Sequence, residues 1–323
     1  MKTIEILLEA KDIRKSFPVP GGQFRKTLSI LKAVDGVSFK INRGETLGLV
    51  GESGCGKSTL ARVILRLIEA TSGEVFFRGK NILKIKKSEM RNLRKKMQIV
   101  FQDPYTSLNP RMTIGAIIKE PMDIYNIASF HERQAKVLEL LNIVGLGIQY
   151  LRRYPHEISG GQRQRVGIAR ALAVHPELVV CDEPVSSLDV SVRTQILNLL
   201  QDLKEKRLLT LLFISHDLSV IKHISDKICV MYLGKLVEKA ESSQFFKSPL
   251  HPYSQALLSA IPIPDPDVKK NKVVLKGDVP SSISPPDGCR FHPRCRYMMQ
   301  KCRVTEPDFK DVGAGHFVAC HLH

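Results

Sequence analysis

Apolar positions along this chain recur at two spacings. Short apolar runs bounded by turns read as buried strands: Thr46-Leu47-Gly48-Leu49-Val50, Met97 to Phe101, Leu178 to Cys181 and Leu208 to Ile214, with further strands around Ile228 to Tyr232 and Lys235 to Glu238. Elsewhere apolar residues return every three or four positions, as helices do. Leu60, Val63, Ile64, Leu67 and Ile68 form one such stripe, and others cover Arg133 to Val144, Gln162 to Val174 and about Val192 to Lys206. From Ile4 to Val75 the remaining text is strand and turn, as in V-D-G-V-S-F-K-I (Val34 to Ile41), N-R-G (Asn42 to Gly44) and S-G-E-V-F-F (Ser72 to Phe77). Strands separated by helices predict an α/β fold whose mostly parallel sheet is covered on both faces. Residues 103 to 157 change character, with Q-D-P and L-N-P turns leading into helical patterns, so a mainly helical insert is expected there. From Ser248 the text becomes proline-rich, with P-I-P-D-P-D (Pro262 to Asp267) and S-P-P-D-G (Ser284 to Gly288). That predicts a linker or extended wrap before a small cysteine-bearing module. No internal repeat is visible.

Between the strand ending at Val50 and the helix stripe starting at Leu60 stands G-E-S-G-C-G-K-S (Gly51 to Ser58), the pattern G-x-x-x-x-G-K-[ST]. A strand, a glycine turn and a helix start aim unpaired backbone N–H groups and the positive helix end at one point, where a polyphosphate can sit. Gly51, Gly54 and Gly56 let the backbone curl, Lys57 can reach the outer phosphates as a point charge, and Ser58 can place its hydroxyl on Mg²⁺. The candidate nucleotide contacts are Gly51, Ser53, Gly54, Cys55, Gly56, Lys57, Ser58 and Thr59. Further on, Asp182 and Glu183 close the apolar strand L-V-V-C, where carboxylates are otherwise unwelcome. Asp182 is placed to hold Mg²⁺ and Glu183 to deprotonate an attacking water. Ser159-Gly160-Gly161-Gln162 reads first as a capping box opening the next helix. A capped, glycine-lined helix start is also an anion site, and a second such site on one chain suggests a partner's nucleotide.

Composition narrows the picture. With 323 residues, 43% of them hydrophobic, the chain supports a sizeable core and one large or two ordinary domains. The longest clear apolar run, Leu208 to Ile214, falls far short of the ~18 residues of a membrane span. The opening M-K-T-I-E-I-L-L-E-A has acids within its apolar stretch and no small-residue cleavage pattern, so a soluble cytosolic protein is expected. Much of the net charge of +17 is local, since residues 78 to 96 hold nine Lys or Arg against the single acid Glu89. A solvated helix face accounts for that stretch; a position near anionic lipid headgroups is the sharper reading. No zinc finger, RNA-recognition signature or aromatic-interleaved basic stretch accompanies the charge, so no nucleic-acid partner is expected.

Cys55, Cys181 and Cys229 fall within motifs or strands and read as small buried residues. Cys289, Cys295, Cys302 and Cys320 crowd the tail at spacings x5, x6 and x17. In a reducing compartment such a group points to metal rather than disulfides. Zinc sites usually offer tighter cysteine pairs, and an iron-sulfur cluster held by four thiolates carries negative charge that Arg290, Arg294, Arg296, Lys301 and Arg303 can offset. Spacing leaves iron-sulfur and zinc both open.

In their order these motifs resemble an ATP-binding-cassette (ABC) ATPase over roughly residues 4 to 245, with S-G-G-Q the most specific element. The resemblance implies a RecA-like, mostly parallel sheet core with antiparallel strands and a helical subdomain, at about 103–160 within an ATPase domain spanning 1–247. It implies a head-to-tail dimer in which each ATP lies between one chain's phosphate loop and the other's Ser159 to Gln162. By the same match Gln102 is the loop glutamine that senses Mg²⁺, Asp189 in S-S-L-D the dimer-contact aspartate, His216 in S-H-D the switch histidine at the γ-phosphate, and Phe17 the adenine-stacking aromatic, with Phe24 a weaker candidate. The tail segments H-P-Y-S-Q-A-L-L-S-A-I-P (His251 to Pro262) and G-C-R-F-H-P-R-C (Gly288 to Cys295) resemble the ATPase subunits of oligopeptide, dipeptide and nickel importers. That implies a C-terminal extension over 248–323 whose four cysteines hold a [4Fe-4S] cluster, and a peptide importer at the cytoplasmic face of the membrane. Its partners would be two permease subunits, a second identical or related ATPase and an extracytoplasmic binding protein. The alternatives are a nickel or other small-solute importer, a soluble ABC ATPase of translation or DNA repair, and a redox-sensing tail.

Overall fold

Strands β1 (Ile6–Val19), β2 (Ser29–Asn42), β3 (Thr46–Val50), β4 (Ser72–Phe77), β5 (Lys80–Asn81), β6 (Met97–Val100), β7 (Leu178–Asp182), β8 (Thr210–Ser215), β9 (Lys227–Tyr232), β10 (Lys235–Glu241), β11 (Lys310–Asp311) and β12 (Phe317–Val318) carry the fold. Helices α1 (Lys57–Ile64), α2 (Lys87–Leu93), α3 (Pro104–Ser107), α4 (Ile114–Ile124), α5 (Phe130–Ile143), α6 (Gly160–Leu172), α7 (Val190–Arg207), α8 (Leu218–Ile224), α9 (Ser242–Lys247), α10 (Pro252–Ser259) and α11 (Gln300–Val304) connect them. The computed structural model describes residues 5–19, 29–261, 275 and 277–323. Phe24 and the Pro262 to Asp267 stretch lie outside the described residues. Two compact units emerge, the first built on Lys84–Ile214 with Asn42–Glu45, the second on Ile6–Ile41, Thr46–Leu83 and Ser215–His323.

In the first unit β6, β7 and β8 run parallel, with Met97 opposite Leu178 and Leu178 opposite Thr210. Every residue of β7 and β8 is buried, which explains why these strands are written as continuous apolar runs rather than alternating ones. Between β6 and β7 the chain runs through helices α3 to α6. Thr113 caps α4, and Ser129 with Glu132 makes a reciprocal capping box on α5. Two details differ from the sequence reading. Leu208 adopts a left-handed conformation (φ 50°) that ends α7, and at 70% exposure it belongs to a turn rather than to β8. Of the basic stretch, Lys87–Leu93 is helical whereas Lys80–Asn81 pairs with β4.

In the second unit an antiparallel sheet has the order β2-β1-β4-β5, with Leu8 opposite Phe77. Separately, β3 lies parallel to β9, which turns through Leu233 and Gly234 into the antiparallel β10. Here too a helix is shorter than its apolar stripe. α1 stops at Ile64, Arg66 turns left-handed (φ 48°), and Leu67 is 46% exposed.

The tail shares this unit's core. β12 pairs with β10, and Tyr253 and Phe291 pack around Tyr232 with ring centroids 4.8 and 5.3 Å away. Glu238 on β10 is fully buried, and its carboxylate accepts the N–H groups of Leu250 and His251 and a 2.7 Å bond from His316. A buried carboxylate needs such partners, because leaving it alone costs several kcal/mol. Burial pushes the His251 imidazole down to about 3, so the ring is neutral and its Nδ1 accepts the Tyr253 N–H at the start of α10. Among the described residues no helix is long and apolar enough to cross a membrane.

Candidate functional site

The phosphate loop lies in the second unit. All five residues of β3 are buried, and they deliver the chain to a glycine turn whose tightness can be tested atom by atom. A Cβ on Gly51 would stand 2.2 Å from the Met231 carbonyl oxygen, and one on Gly56, where φ is 107°, 2.0 Å from that of Ala33. Side chains cannot occupy those places, so the pattern's first and last glycines are required by packing. Gly56 is the N-cap of α1 and has no side chain to cap it, the arrangement of a phosphate-receiving helix start. Lys57 is only 4% exposed, and its Nζ donates to the carbonyl oxygens of Gly51 (2.7 Å) and Glu52 (2.9 Å). Ser53 and Gly54 are exposed, while Ser58 and Thr59 are half-buried on the first turn of α1. Burial pushes the Cys55 thiol up, in keeping with a small packed residue. These residues fit a polyphosphate, since the Lys57 ammonium and the start of α1 stand at a tight glycine turn. Phe17, half-buried near the end of β1, carries the Lys15 ammonium 4.9 Å from its ring centre.

The carboxylates lie in the first unit. Asp182 ends β7 and is 4% exposed. Glu183 follows in a left-handed turn (φ 48°), fixed by its N–H donating to the Ile214 carbonyl at 3.0 Å. A side chain at this conformation is strained, and such strain clusters at functional positions. Gln102 Nε2 donates to Glu183 Oε2 at 3.0 Å, so two candidates separated by 81 residues meet. The capping box at Ser159 is present in both directions, and Gln162 Nε2 also donates to Tyr150 Oη at 2.9 Å. Asp189 caps α7 by accepting from the Val192 N–H and the Ser191 hydroxyl, bonds that hold its carboxyl below the usual range. The two motifs are close neighbours, because a Cβ on Gly161 would lie 2.3 Å from Val192 Cγ1. His216 is exposed beyond β8 and precedes Asp217, the N-cap of α8, in the second unit.

The tail cysteines are all free, and every pair among Cys289, Cys295, Cys302 and Cys320 lies within electrostatic reach. Burial pushes the Cys289 thiol up to about 11, with the other three pushing the same way. Among the described residues, however, no group of three or more His, Cys, Asp or Glu side chains is set to hold a metal ion. Two of the cations expected to balance a cluster are engaged elsewhere. Arg290 bonds Asp35 and the Leu233 carbonyl, and Arg294 forms a forked pair with Glu52. Nothing in the sequence pattern singles out Glu52 or Tyr253. Position 52 is a free position of the loop pattern, and Tyr253 lies 201 residues away.

Comparison with known proteins bears on this constellation. The ABC transporter family profile matches residues 34–186, and that of the oligopeptide/dipeptide transporter C-terminal region matches residues 237–302. The oligopeptide transport ATP-binding protein AppF of Bacillus subtilis (strain 168) is 52% identical over 322 residues, which cover 99% of this chain and 98% of that protein. The chain belongs to the ATP-binding subunits of oligopeptide/dipeptide ABC transporters. Within the same family, the dipeptide transport ATP-binding protein DppF of Escherichia coli (strain K12) is 49% identical over 97% of this chain and 93% of its own length. Among solved structures, a dimeric post-hydrolysis state of the ATP-binding cassette MJ0796 bound to ADP and Pi is similar, with a TM-score of 0.64 and 28% identity. It covers 73% of this chain and 98% of that one. The α/β cassette fold expected from the motifs is thereby established for this member of the family.

Proposed function

We propose that this chain hydrolyses ATP to power a peptide importer at the cytoplasmic face of a membrane. The observation that carries the reading is the union, on one chain, of the cassette motifs with the oligopeptide/dipeptide C-terminal region. On this reading Lys57 and the loop N–H groups hold the β- and γ-phosphates, and Ser58, Gln102 and Asp182 are the ligands for Mg²⁺. When bound, Mg²⁺ neutralises charge that develops on the phosphates. Glu183 takes the proton of the attacking water, Gln102 orients Glu183, His216 contacts the γ-phosphate, and Phe17 stacks on adenine. Ser159, Gly160, Gly161 and Gln162 complete the ATP site of a second ATPase subunit in a head-to-tail dimer, with Asp189 at the contact. Two permease subunits and, indirectly, an extracytoplasmic binding protein complete the transporter. Reconstitution with the permeases in vesicles tests this. Peptide-loaded binding protein is expected to stimulate hydrolysis; stimulation by nickel points to the sister importers. Failure to join the permeases, with stimulation by nucleic acid instead, would sink the transporter reading.

The four tail thiols are proposed to bind one [4Fe-4S] cluster, a reading supported by their grouping within the tail and by all four being free. Anaerobically purified protein is expected to contain iron and sulfide and to lose both on Cys302→Ser, with ATP binding retained. One zinc per chain without iron or sulfide would replace the cluster with a structural zinc site.

A further inference from the structure

Glu52, the second residue of the phosphate loop, is held from three directions within the second unit. Its N–H donates to Tyr253 Oη at 2.9 Å, and its carbonyl accepts from Lys57 Nζ at 2.9 Å. Its carboxylate receives a fork from Arg294, with Nη1 at 2.8 Å and Nη2 at 3.1 Å. The Arg294 side chain is 8% exposed and that of Glu52 26%, so this pair is largely withdrawn from water. Such a fork is stronger than a surface ion pair and fixes direction as well as distance. Both anchors are themselves held. The Tyr253 ring packs against Tyr232 and Phe291, and the Arg294 guanidinium lies 6.0 Å from the Tyr232 ring centre. Tyr253 and Arg294 both belong to the tail, and nothing in the nucleotide-binding pattern calls for an acid at position 52.

We propose that Tyr253 and Arg294 are positioning residues for nucleotide binding, clamping Glu52 so that the tail sets the affinity of the phosphate loop for ATP. The inference rests on reading the loop as an ATP site. Its energetic content is preorganisation. The Lys57 ammonium rests on the carbonyls of the same Gly51–Glu52 backbone that the clamp holds, and a released loop has to be ordered by the incoming nucleotide. That ordering is subtracted from binding and not from the chemical step.

The test uses the full chain, with ATP-analogue titration, steady-state hydrolysis and thermal melting on the same preparations. Arg294→Gln and Glu52→Gln are each expected to weaken ATP binding and raise KM about three- to tenfold, a fraction of the roughly tenfold or more that a charge-assisted contact is worth because only the loop's ordering reaches the nucleotide, with kcat changed by less than about twofold. The double variant is expected to be no weaker than either single one. Arg294→Lys keeps the charge without the fork and is expected to recover part of the affinity. Tyr253→Phe keeps the ring and removes the hydroxyl, so a rise of about threefold in KM is expected from it. A lowered melting temperature with unchanged affinity in Arg294→Gln makes the contact purely structural and overturns the proposal. Should that variant not fold, Tyr253→Phe decides, and an unchanged KM overturns it equally. A wild-type chain that binds no ATP refutes the ATPase reading itself, an outcome distinct from a variant that merely matches a binding-competent wild type.

Discussion

A Glu183→Gln chain is expected to hydrolyse ATP about 10²- to 10⁴-fold more slowly than wild type, the usual cost of losing a general base, while still binding ATP. The substitution is nearly isosteric. The left-handed turn at position 183 is fixed by a backbone bond to Ile214, and the amide can still pair with Gln102, so the geometry survives. What disappears is the capacity to take a proton. Asp182 and the phosphate loop are untouched, so ATP affinity stays within a small factor of wild type and bound ATP holds the proposed dimer closed. Single-turnover phosphate release beside analogue titration and size-exclusion chromatography checks all three consequences. A wild-type rate would mean that another group accepts the proton.

Lys57→Ala acts on binding rather than on chemistry. The ammonium is buried and donates to two loop carbonyls, and in the proposed complex it is the buried charge that meets the outer phosphates. Removing one partner of a buried, hydrogen-bonded charge pair costs about 2–5 kcal/mol, and each 1.4 kcal/mol is tenfold. ATP affinity is therefore expected to fall by about thirtyfold to several thousandfold, with hydrolysis at ordinary ATP concentrations falling alongside it. Undiminished affinity in the titration would remove Lys57 from the site.

Local chemistry was the legible part of this protein. The glycines of the phosphate loop, the capping box at Ser159 and the apolar strand ending at Asp182 each obey a short-range rule, and each stands where that rule puts it. The pattern misleads where apolarity and conformation part company. Leu67 and Leu208 match the patterns of their neighbours, but both lie just past helix ends where the backbone turns left-handed, and both are exposed. The tail was harder to read. Arg290 and Arg294 look like cations for a metal cluster until the fold brings Asp35 and Glu52 to them across 255 and 242 residues. No sequence period encodes such pairs. Likewise Glu238 reads as the polar end of a strand, and its burial follows from partners at positions 250, 251 and 316.

The bond between Glu52 and Arg294 also carries a consequence for biosynthesis. A chain emerges from the ribosome N-terminus first, so the phosphate loop is made long before the residue that clasps it. Between the synthesis of His216 and that of Arg294, and in any fragment that ends within that interval, every nucleotide motif is present while the Arg294 clasp is missing. Under the proposed clamp such fragments compete poorly for ATP. Where ATP is limiting, unfinished subunits would then engage nucleotide several-fold less than chains translated through their tail.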